Sequence, residues 1–276
     1  MKISILTLFP NMITSFFQES IVKRAQEKKL VKIEIIDLRK YAIDDYGSVD
    51  DRPYGGGAGM IMRVDVIYKA IQSVILSKAK DLSRMRATSN KLRDSSVISL
   101  PQNDSKIKVI LTSPKGKVLN QQLAINYSKL DHLVIIAGHY EGVDERVRDF
   151  ADEEVSLGDF IMTGGEITAS VIVDSVARLI PGVLRKEEAT QIESFNPTPI
   201  NQLIGVVGKN ATLKRLKEKG IKEVRLLEYP QYTRPEEFMG KKAPESLLSG
   251  NHKEIEKWRL KKAFEETLKK RPDLLS

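Results

Sequence analysis

The residues best suited to chemistry in this chain fall in a few short clusters rich in glycine, carboxylate, arginine and tyrosine. The first is DDRPYGGGAGM, residues 50–60. Four glycines within five residues let the main chain approach a ligand closely and adopt positive φ. Asp50, Arg52 and Tyr54 add charge and a stacking surface. Glycine-rich loops also occur without any ligand, so this cluster alone does not separate a site from a plain loop. The second is GHYEGVDER, residues 138–146, directly after an apolar run. In open α/β sheets, ligands sit beyond the carboxyl ends of strands. Gly138 and Gly142 leave room there, and Glu141 can take a ribose hydroxyl or a cationic group. A strand-to-helix turn with an acidic helix start would read the same way. The third is SLGDFIMTGGE, residues 156–166, where glycines flank a short strand and precede a helix. Its amides and Thr163 suit an anion or a nucleobase edge. No lysine of a triphosphate-binding loop follows.

Two further places are less informative by themselves. Arg178, in VARLIPGV, reads equally as a helix-end residue near the C-terminal dipole. Glu193, in ESF, reads equally as a loop carboxylate. The last cluster, LEYPQYTRP at 227–235, interleaves tyrosines with Arg234 and prolines. That pattern suits stacking on unpaired bases, or a stiff connection whose tyrosines pack on the following helix.

Composition removes several alternatives. The 276 residues contain no cysteine, which excludes disulfides, thiolate metal sites and a cysteine nucleophile. That fits a reducing, cytoplasmic setting. The three histidines, His132, His139 and His252, are far apart, so no resident metal is expected. No apolar run is long enough to span a bilayer. The N-terminal apolar stretch has no small-residue cleavage site after it and reads as a buried first strand. The end of that strand, LFPNM, lacks the glycine-rich turn of a dinucleotide fold. Any cofactor therefore binds mid-chain, on a different topology. The net charge is +8 and uneven. Residues 209–276 hold 18 Lys/Arg against 11 Asp/Glu, and residues 77–108 hold 8 against 3. A basic tail on a mildly acidic body suits docking of a polyanion, and equally a solvated helical surface.

The elements that must position these clusters alternate in type. MKISILTLF, VKIEIIDL, IKVILT and HLVIIAG read as strands covered on both faces. Helices are expected over 12–29, 64–76, 119–129 and 167–179, the last stopped by Pro181 and Gly182. This alternation predicts an α/β fold with a parallel sheet. Residues 79–105 read as an inserted polar loop and 196–226 as an expanded interdomain linker. Residues 227–276 read as a small helical domain whose long helix carries the stripe Leu260, Phe264, Leu268.

Taken in order, DDRPYGGGAGM, GHYEGVDERV, SLGDFIMTGGE, VARLIPGVL, LLEYPQYTRP and LLSGNH closely resemble the signatures of the bacterial tRNA (guanine-N1)-methyltransferase family, of the SPOUT class. The resemblance covers nearly all of the chain outside 79–105 and 196–225. It implies a deep trefoil knot within a catalytic domain spanning 1–195, a helical tRNA-binding domain at 227–276, and a homodimer with its active site at the subunit interface. It implies methyl transfer from S-adenosylmethionine to N1 of the guanosine at position 37 of tRNA. By motif, the cofactor-binding residues are Gly138, Tyr140, Glu141, Gly142, Leu157, Gly158, Asp159, Phe160, Ile161, Met162, Gly164 and Gly165. Glu193 is assigned as general base and Arg178 as the partner of guanine O6. Asp50, Arg52, Tyr54 and Arg234 are assigned to the tRNA. The family usually carries aspartate where this chain has Glu193, and its chemistry leaves room for Mg2+ in proton removal. Two other readings stay open at this point: a related enzyme acting on another RNA, and an RNA-binding protein without activity.

Overall fold

The computed structural model describes residues 1–86, 106–185, 193–208 and 210–276. The chain divides into two compact units, Met1–Arg185 and Lys186–Ser276.

The first unit is built on a five-stranded parallel sheet. Its strands are β1 (Lys2–Thr7), β2 (Lys32–Asp37), β5 (Ile107–Val118), β6 (His132–Ile136) and β7 (Glu153–Ser156), in the order β2-β1-β6-β5-β7. The short pair β3 (Asp50–Asp51) and β4 (Ile61–Met62) forms a separate antiparallel ribbon. The period of two along each strand decides the two cores. Ile3, Ile5, Leu133, Ile135 and Ile110 face one core, whereas Leu6, Val134, Ile136, Val109 and Leu111 face the other. The first is covered by α1 (Asn11–Thr14), α2 (Ser20–Glu27), α4 (Gln121–Ser128) and α5 (Glu166–Ala177). The second is covered by α3 (Val64–Arg86). Every residue of β6 is buried, as expected for a central strand with helices on both sides.

Two expectations change in this unit. The helix expected over 12–29 is broken into α1, a 3-10 turn at Phe16–Gln18 and α2, because Glu19 is extended and Ser20 takes a φ of 53°. The helix expected to stop at Leu76 runs on to Arg86, so residues 79–86 of the expected loop are helical. Ala, Leu, Met, Lys and Arg dominate that stretch, and such residues extend a helix already nucleated. Residues 87–105 lie outside the described residues.

The second unit starts ten residues before the boundary expected at 195, and the stretch expected as a linker is folded. It forms β8 (Pro197–Pro199), α6 (Ile200–Val207), α7 (Ala211–Glu218) and β9 (Glu223–Arg225), with β8 and β9 paired antiparallel. Ile200, Leu203, Leu213, Leu216, Val224 and Leu226 are buried with Ala263, Phe264 and Leu275. The lysines of this segment hid an amphipathic helix, in which Leu213 and Leu216 share one face. The hairpin β10 (Glu237–Phe238) and β11 (Lys241–Lys242) and the turn α8 (Glu245–Leu248) precede α9 (His252–Lys270). Asn251 caps α9 by accepting from the Glu254 amide. The expected stripe holds at Phe264, which is buried, and at Leu260, which packs partly buried on the same core, but not at Leu268, which is exposed; Ala263 and Thr267 are buried instead.

Candidate functional site

Three of the sequence clusters converge at the carboxyl ends of β5, β6 and β7. The chain leaves β6 at Ile136, and Gly138 donates its amide to Thr112 Oγ1 at 3.2 Å. That hydroxyl in turn donates to the Ile136 carbonyl at 3.1 Å. Gly165, just before α5, donates to the Gly138 carbonyl at 2.6 Å. A Cβ on Gly165 would collide with Thr112 Oγ1 and the Gly138 amide, so only glycine allows this approach. His139 and Gly164 form an antiparallel bridge. The second and third clusters are therefore tied together main chain to main chain.

The turn at 139–142 is closed by the Gly142 amide donating to the His139 carbonyl at 3.1 Å. Tyr140 is held in the left-handed region at φ 59°, a conformation that persists only where surroundings impose it. Here the surroundings include the first cluster. The Glu141 amide donates to Met60 O at 3.1 Å, Met62 to Gly142 O at 3.0 Å, and Asp144 to Met62 O at 3.0 Å. Asp50 lies opposite Met62 on the β3–β4 ribbon and is half-buried. Arg52 and Tyr54 follow it, fully on the surface, into a loop where Gly55, Gly56, Gly57 and Gly59 all take positive φ.

β5 contributes what sequence reasoning missed. Thr112 and Lys117 both register with Val155 of β7, so residues 113–116 bulge outward from the sheet. Ser113 and Pro114 on this bulge, with Thr112, form one wall of a cleft of about 270 Å³. The opposite walls are Gly138–Gly142 and the loop from Leu157 to Gly165. All the expected cofactor residues line this cleft except Asp159, which is exposed away from it. His139, Thr163 and Thr168 also line it. The one signal for the β5 wall was a Ser-Pro pair interrupting an apolar strand before Gly116. A Cβ on Gly116 would collide with the Glu154–Val155 backbone.

Several charges beside the cleft are paired. The Arg146 guanidinium holds the Asp144 carboxyl below the usual range. Arg148 bridges Glu145 and Glu154. Deeper in the same unit, burial opposes ionisation of Glu153, but hydrogen bonds from Lys108 at 2.9 Å and Tyr127 at 2.7 Å outweigh it and lower its pKa. Burial, and then the same carboxylate, push the Tyr127 phenol up.

The remaining candidates lie elsewhere. Arg178 is the C-cap of α5, the end opposite Gly165, about 18 Å along a helix of that length. Glu193 belongs to the second unit. It lines a cleft of about 550 Å³ with Asn196, Glu228, Tyr229, Lys253 and Arg259. Its neighbours Ser194 and Phe195 are anchored to Glu228 and Leu226 by hydrogen bonds at 2.9 and 2.7 Å. Arg234 lines a shallow hollow with Tyr232 and Leu248. Tyr229 and Tyr232 pack edgewise on Trp258 at 6.4 and 6.3 Å, and Arg259 lies over Tyr229. The tyrosines thus do pack on the long helix, although Tyr232 remains half exposed.

Comparison with known proteins identifies the family of the chain. The family model described as tRNA (guanine-1)-methyltransferase TrmD matches residues 1–276. A tRNA (guanine-N(1)-)-methyltransferase of Citrifermentans bemidjiense is 46% identical over 276 residues, covering 100% of this chain and 90% of that protein. Proteins of the same name from Carboxydothermus hydrogenoformans and Mycoplasma capricolum are 43% and 41% identical, each over the whole of this chain and 87% and 92% of their own length. With a full-length family match and relatives well above 30% identity, this chain belongs to the tRNA (guanine-1)-methyltransferase family.

Proposed function

We propose that this chain transfers a methyl group from S-adenosylmethionine to N1 of the guanosine at position 37 of tRNA, 3′ of the anticodon. The observation that carries the proposal is the main-chain-lined cleft at the ends of β5, β6 and β7, in a chain of this family. Its residues fit the donor. Glu141 supplies negative charge for a cationic ligand, and Gly142 has open space where a side chain would stand. Leu157, Phe160, Ile161 and Met162 supply apolar surface for an adenine ring.

The donor supplies a methyl group on a sulfonium, open to in-line displacement. The protein must bring guanine N1 into line and remove its proton. In this reading Glu193 is the general base that takes the N1 proton. Arg178 stabilises the negative charge that develops toward O6. Asp50, Arg52 and Tyr54 hold the target nucleotide, and Arg234 contacts the RNA from the second, basic unit. Among the described residues no three His, Asp or Glu side chains converge on a metal site.

The active site is proposed to form between two copies of the chain. Ile167 and Val171 are 49% and 37% exposed one turn apart on α5, an apolar face that a second copy would cover. A deep trefoil knot belongs to the same reading. It is supported by the double registration of Thr112 and Lys117 with Val155 and by the return of residues 164–165 onto Gly138–His139. No helix among the described residues is long and apolar enough to cross a membrane, consistent with work on cytoplasmic tRNA.

The deciding experiment incubates the purified chain with labelled S-adenosylmethionine and an unmodified tRNA transcript bearing G37. Mass spectrometry of the digested RNA is expected to find N1-methylguanosine at that position and none in a G37→A transcript. Absence of label at N1 rejects the proposal.

A further inference from the structure

One carboxylate beside the cleft has no part in the chemistry above. Glu166 is fully buried at the first position of α5. A buried carboxylate persists only when its oxygens are paired. Oε1 accepts from Thr7 Oγ1 at 2.8 Å, at the end of β1. Oε2 lies 3.3 Å from His139 Nδ1. Thr7 Oγ1 also accepts from the Phe9 amide at 2.9 Å, and the Phe9 ring packs on the His139 ring at 4.4 Å. The imidazole therefore has a carboxylate at one nitrogen and an aromatic face over it. His139 itself lines the cleft, immediately before strained Tyr140.

We infer that Glu166, with Thr7 behind it, is a positioning residue for the cleft: it keeps a proton on His139 Nδ1 and so fixes the ring and the turn 139–142. A carboxylate can only accept, so the nitrogen facing it must donate. The second ring nitrogen, Nε2, has no hydrogen-bond partner among the described residues, and the His139 residue lines the cleft. The arrangement ties three elements, β1, the turn after β6 and the start of α5, through two side-chain hydrogen bonds. Loss of the lock leaves the turn in place through its main-chain bonds but frees the ring that supports Tyr140.

The effect on ligand affinity rests on the cleft being the donor site. The protonation of the ring does not, and it is read separately. Long-range proton–nitrogen NMR of the full-length protein at about pH 8, above the ordinary imidazole range, reports which nitrogen carries the proton, with the His139→Asn spectrum assigning the signal. The native chain is expected to show Nδ1 protonated. In Glu166→Gln the amide nitrogen can face the ring, so Nδ1 is expected to lose its proton and Nε2 to carry it. In the same variant the KM for S-adenosylmethionine is expected to rise about tenfold, with kcat at saturating donor within about threefold. Thr7→Val is expected to give a smaller rise in the same KM, and Thr7→Ser to restore it. An unprotonated Nδ1 in the native chain overturns the inference whether or not any methyl transfer occurs. So does a Glu166→Gln protein with native KM, or one in which kcat falls while KM is unchanged. If Glu166→Gln does not fold, the native spectrum and the Thr7 pair decide.

Discussion

At the residue scale the proposed chemistry depends on two side chains that lie in different units, Arg178 and Glu193. Neither has a neighbourhood that announces a role from sequence. Arg178 caps a helix, and Glu193 is the first described residue of the second unit. If Glu193 removes the N1 proton, Glu193→Gln lowers kcat by about 10²- to 10⁴-fold and leaves donor binding unchanged. Glu193→Asp retains the carboxylate with one methylene less reach, and is expected to fall between the two. If Arg178 stabilises charge on O6, Arg178→Ala lowers kcat by about 10²-fold with little change in the KM for the donor. Single-turnover methyl transfer with saturating donor checks both. A Glu193→Gln protein with native turnover removes the assignment of the base.

At the element scale the cleft exists because the start of α5 reaches the turn after β6 without any side chain between them. Gly165→Ala places a methyl group against Thr112 and the Gly138 amide, neither of which is a flexible side-chain end. The expected result is loss of donor binding by calorimetry together with destabilisation of about 1–3 kcal/mol. By contrast, alanine at Gly205 meets open space, lies in helix α6 and is expected to be neutral or slightly stabilising. Equal effects at the two positions would show that the close approach at Gly165 does not govern the cleft. The strands and the α5 helix were readable because continuous apolar runs and 3.6-residue spacing survive in the sequence. The β5 bulge and the folded segment 197–225 were not. The first depends on registering two points of one strand with the same residue of another. The second alternates lysine with leucine closely enough to pass for a solvated connection.

At the scale of the whole molecule, acid stability follows from charge pairs, and the proposed association from the exposed apolar face of α5. The lowered pKa of Glu153 means that its contribution is fully present above the ordinary glutamate range. That contribution is lost as pH falls through the folded-state value. Asp65, held down by Arg63, and Asp144, held down by Arg146, act in the same direction. Denaturant unfolding is therefore expected to show stability roughly flat near neutral pH and falling below about pH 4. Glu153→Gln should make that fall shallower, and an unchanged acid profile would count against it. For association, Val171→Glu puts a charge on the exposed apolar face of α5 without touching the cleft wall. Light scattering is expected to report a monomer, with methyl transfer lost while donor binding remains. A monomeric native chain with full activity would exclude the shared site.

The amino-acid sequence by itself determined the alternation of strands and helices, and the glycine turns where main chain without side chains lines the cleft. Both are local properties, set by hydrophobic period and by glycine. It also carried the family, because six ordered motifs recur along it. Only the tertiary structure decided which clusters meet. The Thr112 hydroxyl joins two turns distant in sequence, a buried carboxylate backs the cleft through Thr7 and His139, and the lysine-rich stretch after Glu193 closes a second core. Such contacts are fixed by strand order and register, which no single segment of the chain encodes.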